Sequence, residues 1–157
     1  MREELVLYRR FPIGWLGLAD DGRGISRVCF AGDSEPADGD TDGTVLTRQA
    51  AAELAEYFAG TRRTFTVPLS LKGTDFQLAV WQALREIPYG QTRTYGEIAR
   101  AIGRPGAARA VGMANHANPL LILTPCHRVV GKNGKLTGFA CGLEVKRQLL
   151  ELEGINT

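Results

Sequence analysis

The 157-residue sequence predicts an α/β protein: a small N-terminal α/β part, then a mainly helical C-terminal part with a helix-turn-helix candidate. Three observations carry that expectation. Short β-prone runs crowd the first thirty residues, separated by Gly- and Asp-rich turns. From residue 74 onward the apolar spacing is helical, opened twice by a Thr-x-x-Gln/Glu capping pattern. The charge divides as well. Residues 1–71 hold eight Lys/Arg against eleven Asp/Glu, and residues 72–157 hold eleven against six, so −3 is followed by +5. The expected domains are therefore 1–71 and 72–157.

The N-terminal elements follow in order. Leu5–Tyr8, Trp15–Ala19 and Ile25–Phe30 read as strands. Ala31–Gly43 has five acidic residues and almost no apolar content, so it reads as a mobile loop. Val45–Phe58 reads as an amphipathic helix closed by Gly60, with Leu46, Ala50, Leu54, Tyr57 and Phe58 on one face. Thr64–Gly73 reads as a strand or crossover.

In the C-terminal part, Thr74 and Gln77 open a helix over Phe76–Ile87, and Pro88-Tyr89-Gly90 turns the chain. Thr94 and Glu97 open a short helix through Ile102, which Gly103–Gly106 breaks before a helix over Ala107–His116. Two short helices across a Gly-containing turn fit a helix-turn-helix or a plain helical hairpin, and the pattern alone leaves both open. Ala107, Ala108, Ala110 and Gly112 give the second helix few donors for reading bases. If it meets DNA, sequence preference is expected to be weak, with Arg109 as a phosphate contact or a wedge.

No apolar run is long enough for a bilayer, and MREELVLYRR lacks the form of a signal peptide, so a soluble, cytoplasmic protein is expected. Cys29, Cys126 and Cys141 are odd in number and widely spaced, which argues against a disulfide framework. With His116 and His127 the sole histidines, a zinc cluster is not expected either.

Pro125-Cys126-His127-Arg128 puts a thiol beside an imidazole that can take its proton. Adjacent side chains on a regular element point apart, so cooperation requires a turn or a bridging water. A base also needs an orienting group. Glu151 and Glu153 end the last helix against its dipole, which fits either a partnership with a histidine or arginine from the Cys126 segment or plain solvation, the commoner case for Glu151. For the dipeptide alone a buried inert cysteine is the commoner reading.

Taken together, PCHRVV, GKLTGFACGL, KRQLLELEG and the upstream GTDFQLAVWQALREIPYGQTRTYGEIARAIGRPGAARAVGMANHANP resemble the O6-alkylguanine-DNA alkyltransferase family over about residues 72–154. Residues 1–71 fit its variable N-terminal domain of ribonuclease-H-like topology only in general form. The resemblance implies a single-turnover DNA-repair transferase without cofactor or metal. It would move the alkyl group of O6-alkylguanine, with O4-alkylthymine as a further substrate, to Cys126. His127 would deprotonate the thiol through a water, Glu153 would orient His127, and Asn118 would tie the active-site turn to the recognition helix. Tyr95 would press on the 3′ phosphate and Arg109 would fill the place of a flipped base. Ala107, Ala108, Ala110, Gly112 and Lys132 complete the DNA-facing set.

The implied pocket comprises Met113, Val129, Phe139, Ala140 and Cys141 with Tyr95 and Cys126. Main-chain carbonyls near Cys126 and Val129 would accept from the base, and the Ala140 N–H would donate to O6. Two positions depart from the family pattern: Cys141 stands where a glycine is common, and Phe139 where tyrosine is frequent. The implied partner is double-stranded DNA with little sequence preference, bound by a monomer, with cooperativity on DNA open. A lesion-binding module without transfer and a thiol hydrolase are the competing readings. The presence of Cys126 disfavours the first, and a one-to-one burst without turnover would exclude the second.

Overall fold

In the computed structural model residues 6–36 and 42–157 are described. They group into two compact units, Met1–Leu71 with Pro119–Leu121, and Lys72–Asn118 with Ile122–Thr157. The three residues Pro119–Leu121 thus join the first unit although they lie within the expected C-terminal domain.

In the first unit β1 (Leu7–Phe11), β2 (Gly14–Asp20) and β3 (Ile25–Gly32) form an antiparallel sheet in the order β1-β2-β3. β1 runs later than its apolar pattern predicts, because the Pro12-Ile13 turn sets the register from Phe11↔Gly14 back to Leu7↔Leu18. The remainder of the expected Leu5–Tyr8 strand, at residue 5, lies outside the described residues. Gly14 has φ +130, and a Cβ there would stand 2.8 Å from the Gly32 carbonyl oxygen, so the turn requires glycine. β3 extends through Ala31 and Gly32, which were expected to begin the acidic loop, since Gly32 pairs with Trp15. Positions 37–41 of that loop lie outside the described residues.

Helix α1 (Val45–Phe58) starts at a reciprocal cap between Thr44 and Thr47. Its face of Ala50, Leu54 and Tyr57 is buried, as are Leu7, Leu16 and Leu18 of the sheet it contacts. Glu53 is buried on α1. Burial opposes its charge, yet hydrogen bonds from Gln49, Thr66 and Val67 hold its carboxyl below the ordinary range. Those bonds anchor Thr66 and Val67. The expected strand over 64–73 forms only a single parallel bridge, Leu69 with Ile25. Pro68 has no N–H to extend a ladder and offers its carbonyl to Ile25 N at 2.7 Å. On β3, Val28 exchanges hydrogen bonds with Pro119 and Leu121.

In the second unit α2 (Asp75–Arg85), α3 (Tyr95–Ala101), α4 (Ala108–His116) and α5 (Leu143–Leu152) surround a core of Trp81, Leu84, Ile98, Val111, Leu149 and Leu150. Both expected capping boxes are present, Thr74 with Gln77 and Thr94 with Glu97. Each such cap is worth about 1 kcal/mol. Trp81 Nε1 donates to Ala114 O at 2.9 Å and ties α2 to α4. α3 and α4 are joined by a turn through Gly103, which has φ +77. Two strands have no counterpart in the sequence expectation: β4 (Arg93–Thr94) and β5 (Val129–Val130), a parallel pair in the register Arg93↔Val129.

Candidate active site

The segment from Leu120 to Val130 is buried throughout. Ile122 has φ +69, a left-handed conformation that a β-branched side chain rarely adopts, and it turns the chain sharply ahead of Thr124. Pro125 follows with φ −78 and ψ 66, and Cys126–Arg128 form a 3-10 turn closed by Arg128 N donating to Pro125 O at 3.0 Å. The irregular backbone that a Cys126–His127 partnership requires is therefore present.

Two asparagines hold this turn. Asn118 Nδ2 donates to Thr124 O at 2.9 Å, and Asn115 Nδ2 reaches Cys126 O at 3.4 Å. Asn115 belongs to α4, so the helix after the Gly103 turn bonds directly to the thiol's own residue. Asn115 was not among the expected site residues. Its place on the buried face with Val111 and Ala114 is the signal that marks it.

Behind the turn, Glu153 is the common acceptor. His127 Nε2 lies 2.7 Å from Oε2, with both side chains fully buried. Arg128 donates Nε to Oε1 at 2.8 Å and Nη2 to Oε2 at 3.1 Å, and Gly90 N donates to Oε1 at 3.0 Å. Arg128 also donates Nη1 to Ile87 O at 2.8 Å and stacks 5.7 Å over Tyr89. Glu151 is exposed and bonded by Thr157, so of the two expected carboxylates Glu153 is the one at the histidine.

The protonation pattern follows from this network. Burial pushes the Glu153 carboxyl up, but the hydrogen bonds from His127, Arg128 and Gly90 win and hold it well below the carboxylate range. An ionised Glu153 accepts from Nε2–H, which leaves Nδ1 as the basic nitrogen of a neutral ring. Burial keeps that ring neutral by lowering its pKa, against the pull of Glu153. Nδ1 is buried and meets no hydrogen-bond partner among the described residues. Burial pushes the Cys126 thiol up to about 11, opposed by a hydrogen bond from Asn118 and the charge of Lys146.

The other expected residues distribute as follows. Tyr95 opens α3, half-buried, with its hydroxyl 2.9 Å from Thr137 Oγ1. Gly112 on α4 faces it, since a Cβ there would lie 3.8 Å from the Tyr95 ring. Arg109, Ala110 and Met113 are exposed on α4, while Ala107 and Ala108 are half-buried. Met113, a large apolar side chain, is 71 % exposed. Val129 is buried in β5, and Lys132 is exposed in the 3-10 turn Lys132–Gly134. In the loop before α5, Ala140 is exposed and Phe139 and Cys141 are half-buried. Gly142 has φ +97 at the start of α5, so the left-handed backbone falls on the glycine and position 141 accepts a cysteine. No three metal-ligating side chains cluster among the described residues.

Residues 75–155 match the family described as 6-O-methylguanine DNA methyltransferase, DNA binding domain, and residues 5–71 match the ribonuclease-like domain of the same methyltransferases. The chain belongs to the 6-O-methylguanine DNA methyltransferase family. Its N-terminal α/β part and helical C-terminal part are the two domains of that family. A methylated-DNA–protein-cysteine methyltransferase of Methanosarcina acetivorans is 52 % identical over 146 residues, 91 % of this chain and 94 % of the relative. The protein of that name from Mycobacterium tuberculosis is 62 % identical over 104 residues, 66 % of this chain and 63 % of the relative. The crystal structure of Mycobacterium tuberculosis OGT in complex with DNA is similar at a TM-score of 0.85 and 48 % identity, covering 94 % of this chain and 91 % of that one. An O6-methylguanine DNA methyltransferase from Methanococcus jannaschii is similar at a TM-score of 0.68 and 30 % identity, covering 96 % of this chain and 95 % of that one.

Proposed function

We propose that this methyltransferase repairs double-stranded DNA by moving the alkyl group from O6 of a damaged guanine to Sγ of Cys126, once per molecule. The observation that carries the reading is the Glu153–His127 pair. The carboxylate takes Nε2–H at 2.7 Å and leaves a buried, unpartnered Nδ1 on the residue next to the thiol. A thiol that burial holds near 11 requires such a base.

In the proposed step a bridging water passes the Sγ proton to Nδ1 of His127. Sγ attacks the alkyl carbon, the C–S bond forms and the C–O6 bond breaks, and the electron pair stays on the guanine. The Ala140 N–H donates to O6 as charge develops there, and carbonyls near Cys126 and Val129 accept from the base amino group. The thioether has no route back to a thiol, so the protein is consumed.

The target must leave the duplex, because O6 is out of reach inside the stack. Arg109 is exposed on α4 among small residues, which suits a wedge, and Ala110 and Gly112 let the helix backbone approach the minor groove closely. Tyr95, fixed through Thr137, takes the 3′ phosphate, and Lys132 adds a phosphate contact. Met113, Val129, Phe139, Ala140 and Cys141 line the pocket for the flipped base. The protein acts as a monomer in the cytoplasm, with O4-alkylthymine as a further substrate. Among the described residues no helix is long and apolar enough to cross a membrane.

Stoichiometry tests the reading. With O6-methylguanine duplex in excess, methyl loss from DNA is expected to stop at one per protein molecule. Continued turnover would point to a hydrolase instead, and tight lesion binding without methyl loss to a binding module.

A further inference from the structure

Lys146 lies on α5, yet its side chain is completely buried. A buried ammonium is costly unless acceptors or an anion meet it. Among the described residues its Nζ has one hydrogen-bond acceptor, Thr137 O at 3.3 Å, and it sits 5.8 Å from the Phe139 ring centroid. Among the described residues no carboxylate forms an ion pair with it. Glu144 on the same helix is exposed and paired with Arg147 at 3.2 Å, and Glu153 is engaged by His127 and Arg128.

Among the described residues, the group whose ionised form Lys146 favours is Cys126. Its charge favours the thiolate, and the thiolate in turn favours the ammonium, while burial draws Lys146 down to about 8. From the same turn His127 is pushed away from protonation by this charge and by that of Arg128. The carbonyl that holds Nζ belongs to Thr137, whose hydroxyl meets Tyr95.

Building on the transfer reaction above, we propose that Lys146 is a positioning residue for it: a buried cation, held by Thr137 and Phe139, that supplies the positive field in which the Cys126 sulfur becomes an anion. Lys146 neither gives nor takes a proton in the transfer step. The thiol proton leaves toward His127, the electron pair of the broken C–O bond stays on guanine, and the ammonium stabilises only the ionised sulfur. The neutral thioether then leaves Lys146 without its anion.

Single-turnover methyl transfer from saturating O6-methylguanine duplex between about pH 6.5 and 9.5 tests this for wild type, Lys146→Arg and Lys146→Met. One pKa unit on the thiol is tenfold in thiolate. The Lys146→Met protein is therefore expected to be at least about tenfold slower at neutral pH, with the gap narrowing above about pH 8 as wild-type Lys146 gives up its proton and its field. Lys146→Arg should retain most of the rate. A Lys146→Met rate equal to wild type, or a gap constant across the pH range, overturns the proposal. Should Lys146→Met fail to fold, lysine 13Cε titration of the wild type before and after methylation decides. The Lys146 midpoint is expected to fall on methylation, and an unchanged midpoint overturns the proposal. A wild type that transfers no methyl group sinks the underlying reaction instead.

Discussion

The Arg128 guanidinium grips Glu153 through two hydrogen bonds, Nε to Oε1 at 2.8 Å and Nη2 to Oε2 at 3.1 Å. The same carboxylate binds His127, so one anion holds a structural cation and the proposed base at once. Replacing it by Gln leaves Arg128 buried without an anion, a loss of about 3–5 kcal/mol. It also removes the group that orients His127. Glu153→Gln is expected to lower the urea midpoint and to slow methyl transfer on the order of 10²-fold. An unchanged transfer rate at neutral pH in the folded variant would refute the relay.

Acid should destabilise the fold in two stages. The His127 pKa is depressed in the folded protein, so its neutral ring favours folding above the ordinary value of 6.5, and that contribution fades as pH falls below it. The Glu153 pKa is depressed as well, so its contribution is present above 4.5 and is lost as pH falls further. Urea midpoints measured from neutral pH downward are expected to decline through both windows. Stability that rises on acidification from neutral pH would contradict both assignments.

Arg109 is exposed on α4, and the wedge role proposed for it operates only where a base must leave the stack. Arg109→Ala is expected to slow repair of duplex far more than reaction with free O6-benzylguanine. Equal losses on both substrates would remove the wedge role.

Cys141 stands in the loop before α5, one residue before the left-handed Gly142, and is proposed to line the pocket for the flipped base. Cys141→Gly is expected to speed benzyl transfer several-fold relative to methyl transfer, because a side chain leaves the pocket wall. Parallel rates for the two groups in both proteins would show that Cys141 does not limit the size accepted.

Local signals made much of this fold legible. The Thr74–Gln77 and Thr94–Glu97 boxes involve residues three apart, and both helices start where those boxes place them. The β4–β5 pair was illegible because Arg93–Thr94 and Val129–Val130 are too short for any period, and their partnership is set by tertiary packing. The choice between Glu151 and Glu153 was legible in principle. Val145, Leu149 and Glu153 recur at four-residue spacing on the buried face of α5, and Glu151 does not. Lys146 lies on that same face, three and four residues from Leu149 and Leu150, so a charge within an apolar stripe was its only mark. Arg128 gave less warning, because the 3-10 turn that aims it at Glu153 follows from the irregular backbone around Ile122 and Pro125.

The most direct test of the central claim is peptide mass mapping after one exposure to O6-methylguanine duplex, with Cys126→Ala as control. One methyl group is expected on Cys126 and none on Cys29 or Cys141, with the control unmodified yet still binding DNA. A methyl group on another residue, or methyl transfer by the Cys126→Ala protein, would contradict the assignment of Cys126 as the acceptor.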